Sequence, residues 1–195
     1  MSRVTDPQKI ESVRRAAMEI IVEYGYRGAS IAEIAKKAGV SAGYLYRYYS
    51  SKEILLEDLI NKNLADVKDN IIKYLKNSRT IHEFFYGLIS FLFDLAKEDA
   101  VKAQMAATLF IETDFEKVFS PSDLGLKKEV FEAILKISKE TGEIKSNVSE
   151  DEIQLTLMTI PFRYIMMKIK EKDFQKHFQE EHIQKIERLC LNALR

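Results

Sequence analysis

The sequence predicts an all-α protein of about nine helices. Apolar residues recur at helical spacing along nearly the whole chain, and no run alternates polar and apolar side chains. Glycine (7) and proline (3) are scarce. Ser or Thr stands three residues before Glu at Ser30/Glu33, Ser50/Glu53, Thr80/Glu83 and Ser149/Glu152, the pattern of a helix N-terminal capping box.

The elements follow in order. Pro7 suits the first turn of a helix over 7–24, whose inward stripe is Ile10, Val13, Ala17, Ile20, Ile21 and Tyr24. Helices over 31–37, 42–48 and 51–77 come next, the last with the stripe Val67, Ile71, Ile72 and Leu75. Further helices are expected over 80–98, 100–115, 123–141, 149–170 and 178–194. Gly25, Gly39 and Gly142 mark helix ends. Residues 113–123, with Ser120-Pro121-Ser122, read as a loop. Pro161 lies inside an apolar helical pattern and should kink or split that helix, because it lacks a backbone donor and crowds the preceding turn.

With 195 residues, 46% hydrophobic and 31% charged, the chain can bury a core, and its net charge is zero. The charge is unevenly spread. In residues 1–52, nine basic side chains (Arg3, Lys9, Arg14, Arg15, Arg27, Lys36, Lys37, Arg47, Lys52) outnumber five acidic ones (Asp6, Glu11, Glu19, Glu23, Glu33). That segment is the part suited to face a polyanion. A single cysteine, Cys190, excludes a disulfide framework and a cysteine-based zinc cluster, and fits a reducing, cytoplasmic setting. Met1 to Lys9 is polar, unlike a signal peptide. The longest apolar run, Phe84 to Phe93, falls well short of the roughly 20 residues of a membrane span, so no membrane association is expected. His82, His177 and His182 form no Glu-x-x-His or His-Glu-x-x-His pair, and no phosphate-binding glycine loop or Gly-x-Ser-x-Gly elbow is present. Neither an enzyme, a metal site nor a cofactor is expected.

Function concentrates in Ser30 to Lys52, SIAEIAKKAGVSAGYLYRYYSSK. Two short helices, with Ile31, Ile34, Ala35, Ala38, Val40 and Leu45 inward, flank a turn in which Gly39 takes the left-handed conformation and Ser41 caps the second helix. This is the spacing of a helix-turn-helix, whose second helix enters the DNA major groove. Gly43 lets the backbone approach a duplex. Tyr44, Tyr46, Arg47, Tyr48 and Tyr49 set four phenols and a guanidinium on about one and a half turns. Phenols bond phosphates, and Arg can also read guanine edges. Lys52 opens the next helix, where its charge can hold a phosphate. Leu45 and Tyr49, four apart, read as core.

Residues 10–52 resemble the N-terminal domain of the TetR family of bacterial transcriptional regulators. The resemblance rests on Ala16-Ala17, Gly25-Tyr26, Ser30-Ile31, Ile34-Ala35, Ala38-Gly39-Val40-Ser41, Gly43, Leu45-Tyr46, Tyr48-Tyr49 and Ser51-Lys52-Glu53. Tyr49 stands where Phe is usual, and Tyr44 is bulkier than many residues at its position. The resemblance implies a three-helix DNA-binding domain over 1–52, followed by a helical effector-binding and dimerisation domain over 53–195. It implies DNA contacts by Ser30, Ser41, Ala42, Gly43, Tyr44, Tyr46, Arg47, Tyr48 and Lys52. Of these, Tyr46, Tyr48 and Lys52 would hold phosphates, while Ala42, Gly43, Tyr44 and Arg47 would face bases.

It further implies a homodimer on a pseudo-palindromic double-stranded operator, formed by the last two helices through stripes such as Ile153, Leu157, Ile160, Tyr164 and Met167, and Ile183, Ile186, Cys190 and Ala193. A small hydrophobic effector would enter a pocket drawn from Phe84, Met105, Thr108, Glu112, Met158, Phe162 and Arg163 and release the operator. The alternative is a helix-turn-helix protein governed by a protein partner, without a small effector.

Overall fold

The first three helices share one apolar layer, and the second and third also start on serine caps. The structure, a computed structural model, describes residues 7–112 and 121–195, apart from the side chains of Ile60, Asn63, Leu64, Glu112 and residues 121–127. Helix α1 (Pro7–Gly28) buries Val13, Ala16, Ala17, Met18, Ile20 and Ile21. It is bent at Gly25, whose φ of 73° breaks the helical path. The apolar stripe therefore stops short of Tyr24, which is half exposed and bonded to the neighbouring Glu23 instead of facing inward as expected. Helices α2 (Ile31–Ala38), α3 (Ala42–Tyr46) and α4 (Lys52–Asn77) follow. The cap of α4 is Ser51, whose Oγ accepts from Ile54 N at 3.4 Å, one residue later than the expected Ser50.

The chain forms two compact units, Met1–Ala65 and Asp66–Arg195. In the second unit, α5 (Ile81–Glu98) and α6 (Ala100–Glu112) carry the most apolar faces. Helix α5 fully buries Phe84, Phe85, Leu88, Ile89 and Phe93. Thr80 caps it by accepting from Glu83 N (3.0 Å). Glu143, 62 residues away, takes the remaining first-turn donors, Ile81 N at 2.7 Å and His82 N at 3.3 Å. Helix α7 (Pro121–Thr141) begins at Pro121, in the segment expected to be loop. A proline is at home in a first helical turn, where no partner for its missing N–H is needed. The rest of that expected loop, residues 113–120, lies outside the described residues. Among the described residues, no helix is long and apolar enough to cross a membrane.

The helix over 149–170, expected to kink or split at Pro161, resolves into α8 (Glu150–Gln154), a π-helical turn (Leu155–Thr159) and α9 (Ile160–Lys168). Ser149 and Glu152 make the complete capping box, with Ser149 N donating to Glu152 Oε2 (2.7 Å) and Glu152 N to Ser149 Oγ (3.2 Å). The π turn has a direct cause. Ile160 N reaches back five residues to Leu155 O. The carbonyl of Thr156 would then look to residue 161, but Pro161 has no N–H. The thiol of Cys190, on α10 (Glu180–Leu194), donates to Thr156 O at 3.3 Å in its place. On α10 the buried face is Ile183, Ile186, Cys190, Leu191 and Leu194, and Ala193, expected inward, is exposed. A short 3₁₀ turn, Phe174–His177, precedes it and delivers Phe178 onto Phe93, ring centroids 5.0 Å apart.

Burial, and then the charge of Glu187, push the Cys190 thiol up to about 12. Because the thiolate is the reactive form, Cys190 is expected to resist a thiol reagent at mildly alkaline pH in the native protein and to react once guanidinium unfolds it. Rapid native-state labelling would contradict this placement.

Candidate nucleic-acid interface

Helix α2 starts where Ser30 Oγ accepts from Glu33 N (3.2 Å) and donates to Glu33 Oε2 (2.7 Å). Ile31, Ile34 and Ala35 face inward, and α2 packs on α1. The chain then reverses at Gly39 (φ 68°, ψ 29°), whose N–H bonds back into the last turn of α2. A side chain there would meet no neighbour, so the requirement for glycine is the left-handed backbone alone. Ser41 Oγ accepts from Tyr44 N (3.1 Å) and starts α3. That helix ends at Tyr46, shorter than the 42–48 expected, because Leu45 O receives both Tyr48 N and Tyr49 N at 2.9 Å and closes the last turn.

Leu45 and Tyr49 are the two anchors of α3, at 1% and 8% exposure. Tyr46, Arg47 and Tyr48 are outward. Tyr46 is 57% exposed and Tyr48 38%; Arg47, Gly43 and Ser41 are exposed, while Ala42 and Tyr44 are half-buried. The Tyr44 and Tyr48 rings lie 5.1 Å apart, and the Arg47 guanidinium sits 5.4 Å over Tyr44. Tyr44, Arg47 and Tyr48 thus form one aromatic-cationic cluster on the outer side of the short helix. Lys52 is half-buried, its Nζ donating to Arg27 O (3.0 Å) with the Tyr26 ring 5.6 Å away. Ser30 and Ser41 spend their hydroxyls as caps. Lys36 is exposed, and Lys37 returns to α1 through Glu19 (3.3 Å) and Glu23 (3.6 Å).

One group that supports this site has no signature in the sequence. Tyr49 Oη donates to Asp58 Oδ2 at 2.8 Å, and Arg14 donates to the same oxygen through Nη2 (3.2 Å) and Nε (3.4 Å). A residue of α1, the exit of α3 and a residue of α4 meet at one carboxylate. Burial raises the Asp58 carboxyl, but the bonds from Tyr49 and Arg14 and the nearby charges of Arg14 and Lys62 outweigh it and hold the group below its ordinary value. Burial first, and then the Asp58 bond, push Tyr49 up to about 12.

The residues expected around an effector divide. Phe84, Met105 and Phe162 are fully buried, Thr108 is buried and Met158 half-buried, and Phe162 stacks on Phe110 at 5.1 Å. Arg163 is exposed, since at this point of α9 the buried positions are Pro161, Phe162 and Ile165. The Glu112 side chain lies outside the described residues. Two open clefts of about 500 and 530 Å³ are lined by other residues, the first by Tyr74, Arg79, Tyr86 and Gly87 and the second by His82, Tyr86, Glu187 and Arg188. Among the described residues no three His, Cys, Asp or Glu side chains are grouped to hold a metal ion.

A carboxylate depressed in the folded state stabilises the protein above its unfolded pKa, and that contribution fades as pH falls through the folded value. The native protein should therefore lose urea resistance more steeply than Asp58→Asn as the pH drops below the ordinary aspartate value of 3.8. Parallel curves for the two proteins would contradict the bonding at Asp58.

Comparison with known proteins agrees with this geometry. Residues 13–59 match the family described as "Bacterial regulatory proteins, tetR family". A fatty acid metabolism regulator protein of Bacillus subtilis (strain 168) is 29% identical over 143 residues, spanning 68% of this chain and 69% of that protein. Solved structures share the fold, among them the following two. The transcriptional regulator FadR from Bacillus subtilis, in complex with stearoyl-CoA, gives a TM-score of 0.67 at 21% identity, over 95% of this chain and 99% of that one. A TetR family transcription regulator from Marinobacter aquaeolei VT8 gives 0.68 at 17% identity, over 95% of both. Residues 13–59 thus carry a TetR-type helix-turn-helix domain, and the chain shares the fold of solved TetR-family regulators.

Proposed function

We propose that this chain is a ligand-responsive repressor that binds a pseudo-palindromic operator as a homodimer and leaves it when a hydrophobic effector occupies the C-terminal unit. The observation that carries the DNA reading is the Tyr44–Arg47–Tyr48 cluster, with Arg47 and Tyr48 exposed and Tyr44 half-buried, on a helix that Ser41 caps and Leu45 anchors. Ala42, Gly43, Tyr44 and Arg47 face base edges in this reading. Tyr46, Tyr48 and Lys52 take phosphates, with Lys52 exchanging the Arg27 carbonyl for a phosphate oxygen, and the first turns capped by Ser30 and Ser41 lie beside the backbone. One five-residue recognition helix offers few contacts. A two-fold dimer doubles them and demands half-sites about one helical turn (~34–36 Å) apart, or a multiple of that. Leu155, Met167 and Leu189, each more than half exposed on the last helices, supply apolar surface for such an interface.

For the effector, the similarity to a fatty acid metabolism regulator and to a FadR seen with stearoyl-CoA supports a long-chain acyl thioester. Phe84, Met105, Thr108, Met158 and Phe162 are the set from which a pocket would open, since Met and Phe side chains repack readily around an apolar chain. Effector binding would displace α4, which begins at Lys52, and so alter the spacing of the recognition helices. The coupling needed is about 1–3 kcal/mol. The close packing of the same set, Phe162 on Phe110 and Phe84 with no exposed surface, favours the second reading, control by a protein partner.

Fluorescence anisotropy on DNA from upstream of the chain's own gene, against a scrambled duplex across a salt series, tests the proposal. It expects specific binding at about 10⁻⁸ M or tighter with a steep salt slope, and release on adding stearoyl-CoA. Arg47→Ala should lose about 1–3 kcal/mol, mostly in discrimination between duplexes. Specific binding that stearoyl-CoA and other acyl thioesters leave unchanged favours the partner reading, and no binding even at low salt overturns both.

A further inference from the structure

In the family that this sequence resembles, Phe is usual at position 49. This chain has a phenol. Its hydroxyl is not left to solvent: it donates to Asp58 Oδ2 at 2.8 Å, and Arg14 donates twice to that same atom. The ring is 8% exposed, so the bond sits at the edge of the core, where competition from water is reduced. Tyr49 is the first residue beyond the exposed Tyr46–Tyr48 stretch, and its N–H closes the last turn of α3 on Leu45 O. The hydroxyl therefore ties the C-terminal end of the recognition helix to α4, through Asp58, and to α1, through Arg14.

Packing alone does not supply this constraint. Leu45 and the Tyr49 ring hold α3 against the core, but apolar contacts are non-directional and tolerate small rotations. A charge-assisted hydrogen bond fixes a distance and a direction. Reading base edges requires side chains to sit within a fraction of an ångström of their partners, whereas phosphate attraction tolerates error. We propose that the Tyr49 hydroxyl, held by Asp58 and Arg14, is a positioning group that sets the pose of the recognition helix, so that it determines operator discrimination and not general DNA affinity. This rests on the DNA-binding reading above.

The test uses the full chain. In vitro selection with the wild type recovers a duplex, and anisotropy is then measured on that duplex and on a scrambled one for wild type, Tyr49→Phe, Asp58→Ala and the double variant, with thermal melts alongside. Tyr49→Phe keeps the ring and removes one hydrogen bond to a charged group, so it should bind the selected duplex about tenfold more weakly. Affinity for the scrambled duplex should stay within about twofold and the salt slope should be unchanged, because no phosphate contact is lost. The double variant should be no worse than Asp58→Ala alone, the non-additivity of two residues acting through one bond. A purely structural hydroxyl would lower the melting temperature and leave the ratio of selected to scrambled affinity at its wild-type value. That unchanged ratio in Tyr49→Phe overturns the proposal while leaving the regulator intact. A wild type that enriches no duplex overturns the DNA-binding reading and this inference with it.

Discussion

A helix of five residues does not persist in water, where even favourable sequences need about 12–15 residues. Helix α3, the proposed recognition helix, is that short, so its surroundings must impose its conformation. Gly39 turns the chain through a left-handed residue, Ser41 satisfies a first-turn donor, and Leu45 and Tyr49 pin the inner face. With its inner face committed to the core, the outer face is free for Tyr44, Tyr46, Arg47 and Tyr48. The same constraint explains why the helix needs support beyond its own residues. Asp58, offered by α4 and steadied by Arg14 of α1, receives the Tyr49 hydroxyl that α3's exit sends inward.

The second unit shows a comparable economy in how it satisfies its backbone. Pro161 withdraws a donor, the preceding turn widens to a π turn, and the carbonyl left over at Thr156 is met by Cys190 from another helix. Glu143 reaches across the sequence to the first-turn donors of α5. Buried Ser138 donates to Ile144 O (3.2 Å), and buried Glu187 pairs with His82. Around these sits an aromatic core in which Phe93 stacks on Tyr164 at 5.6 Å and Phe110 on Phe162 at 5.1 Å. Such a core is both well filled and built from side chains able to repack.

What is local in this protein was legible in its sequence. The caps at Ser30, Ser41, Thr80 and Ser149, the left-handed turns at Gly39 and Gly142, and the disruption at Pro161 each follow from a few neighbouring residues. Periodicity located the helices and failed only at their ends. Tyr24 and Ala193 continue apolar stripes but face outward, because the bend at Gly25 and the end of α10 change which positions are covered. Ser51 rather than Ser50 caps α4, a choice between adjacent serines that spacing alone does not decide. The contacts that were not legible are long-range and polar. Arg14 and Asp58 are separated by 44 residues, Lys52 and the Arg27 carbonyl by 25. No periodic signal links such pairs. A phenol in place of the usual Phe at position 49 was the one visible clue, and it points to a partner without naming it.

The proposed DNA-binding role places residues 30–52 against the duplex. Hydrogen-exchange mass spectrometry of the full chain, with and without a duplex recovered by selection, tests it most directly. Slowed exchange is expected in peptides covering α2, the turn at Gly39, α3 and the start of α4 when the duplex is bound. Unchanged exchange in those peptides, with protection appearing elsewhere in the chain, would contradict it.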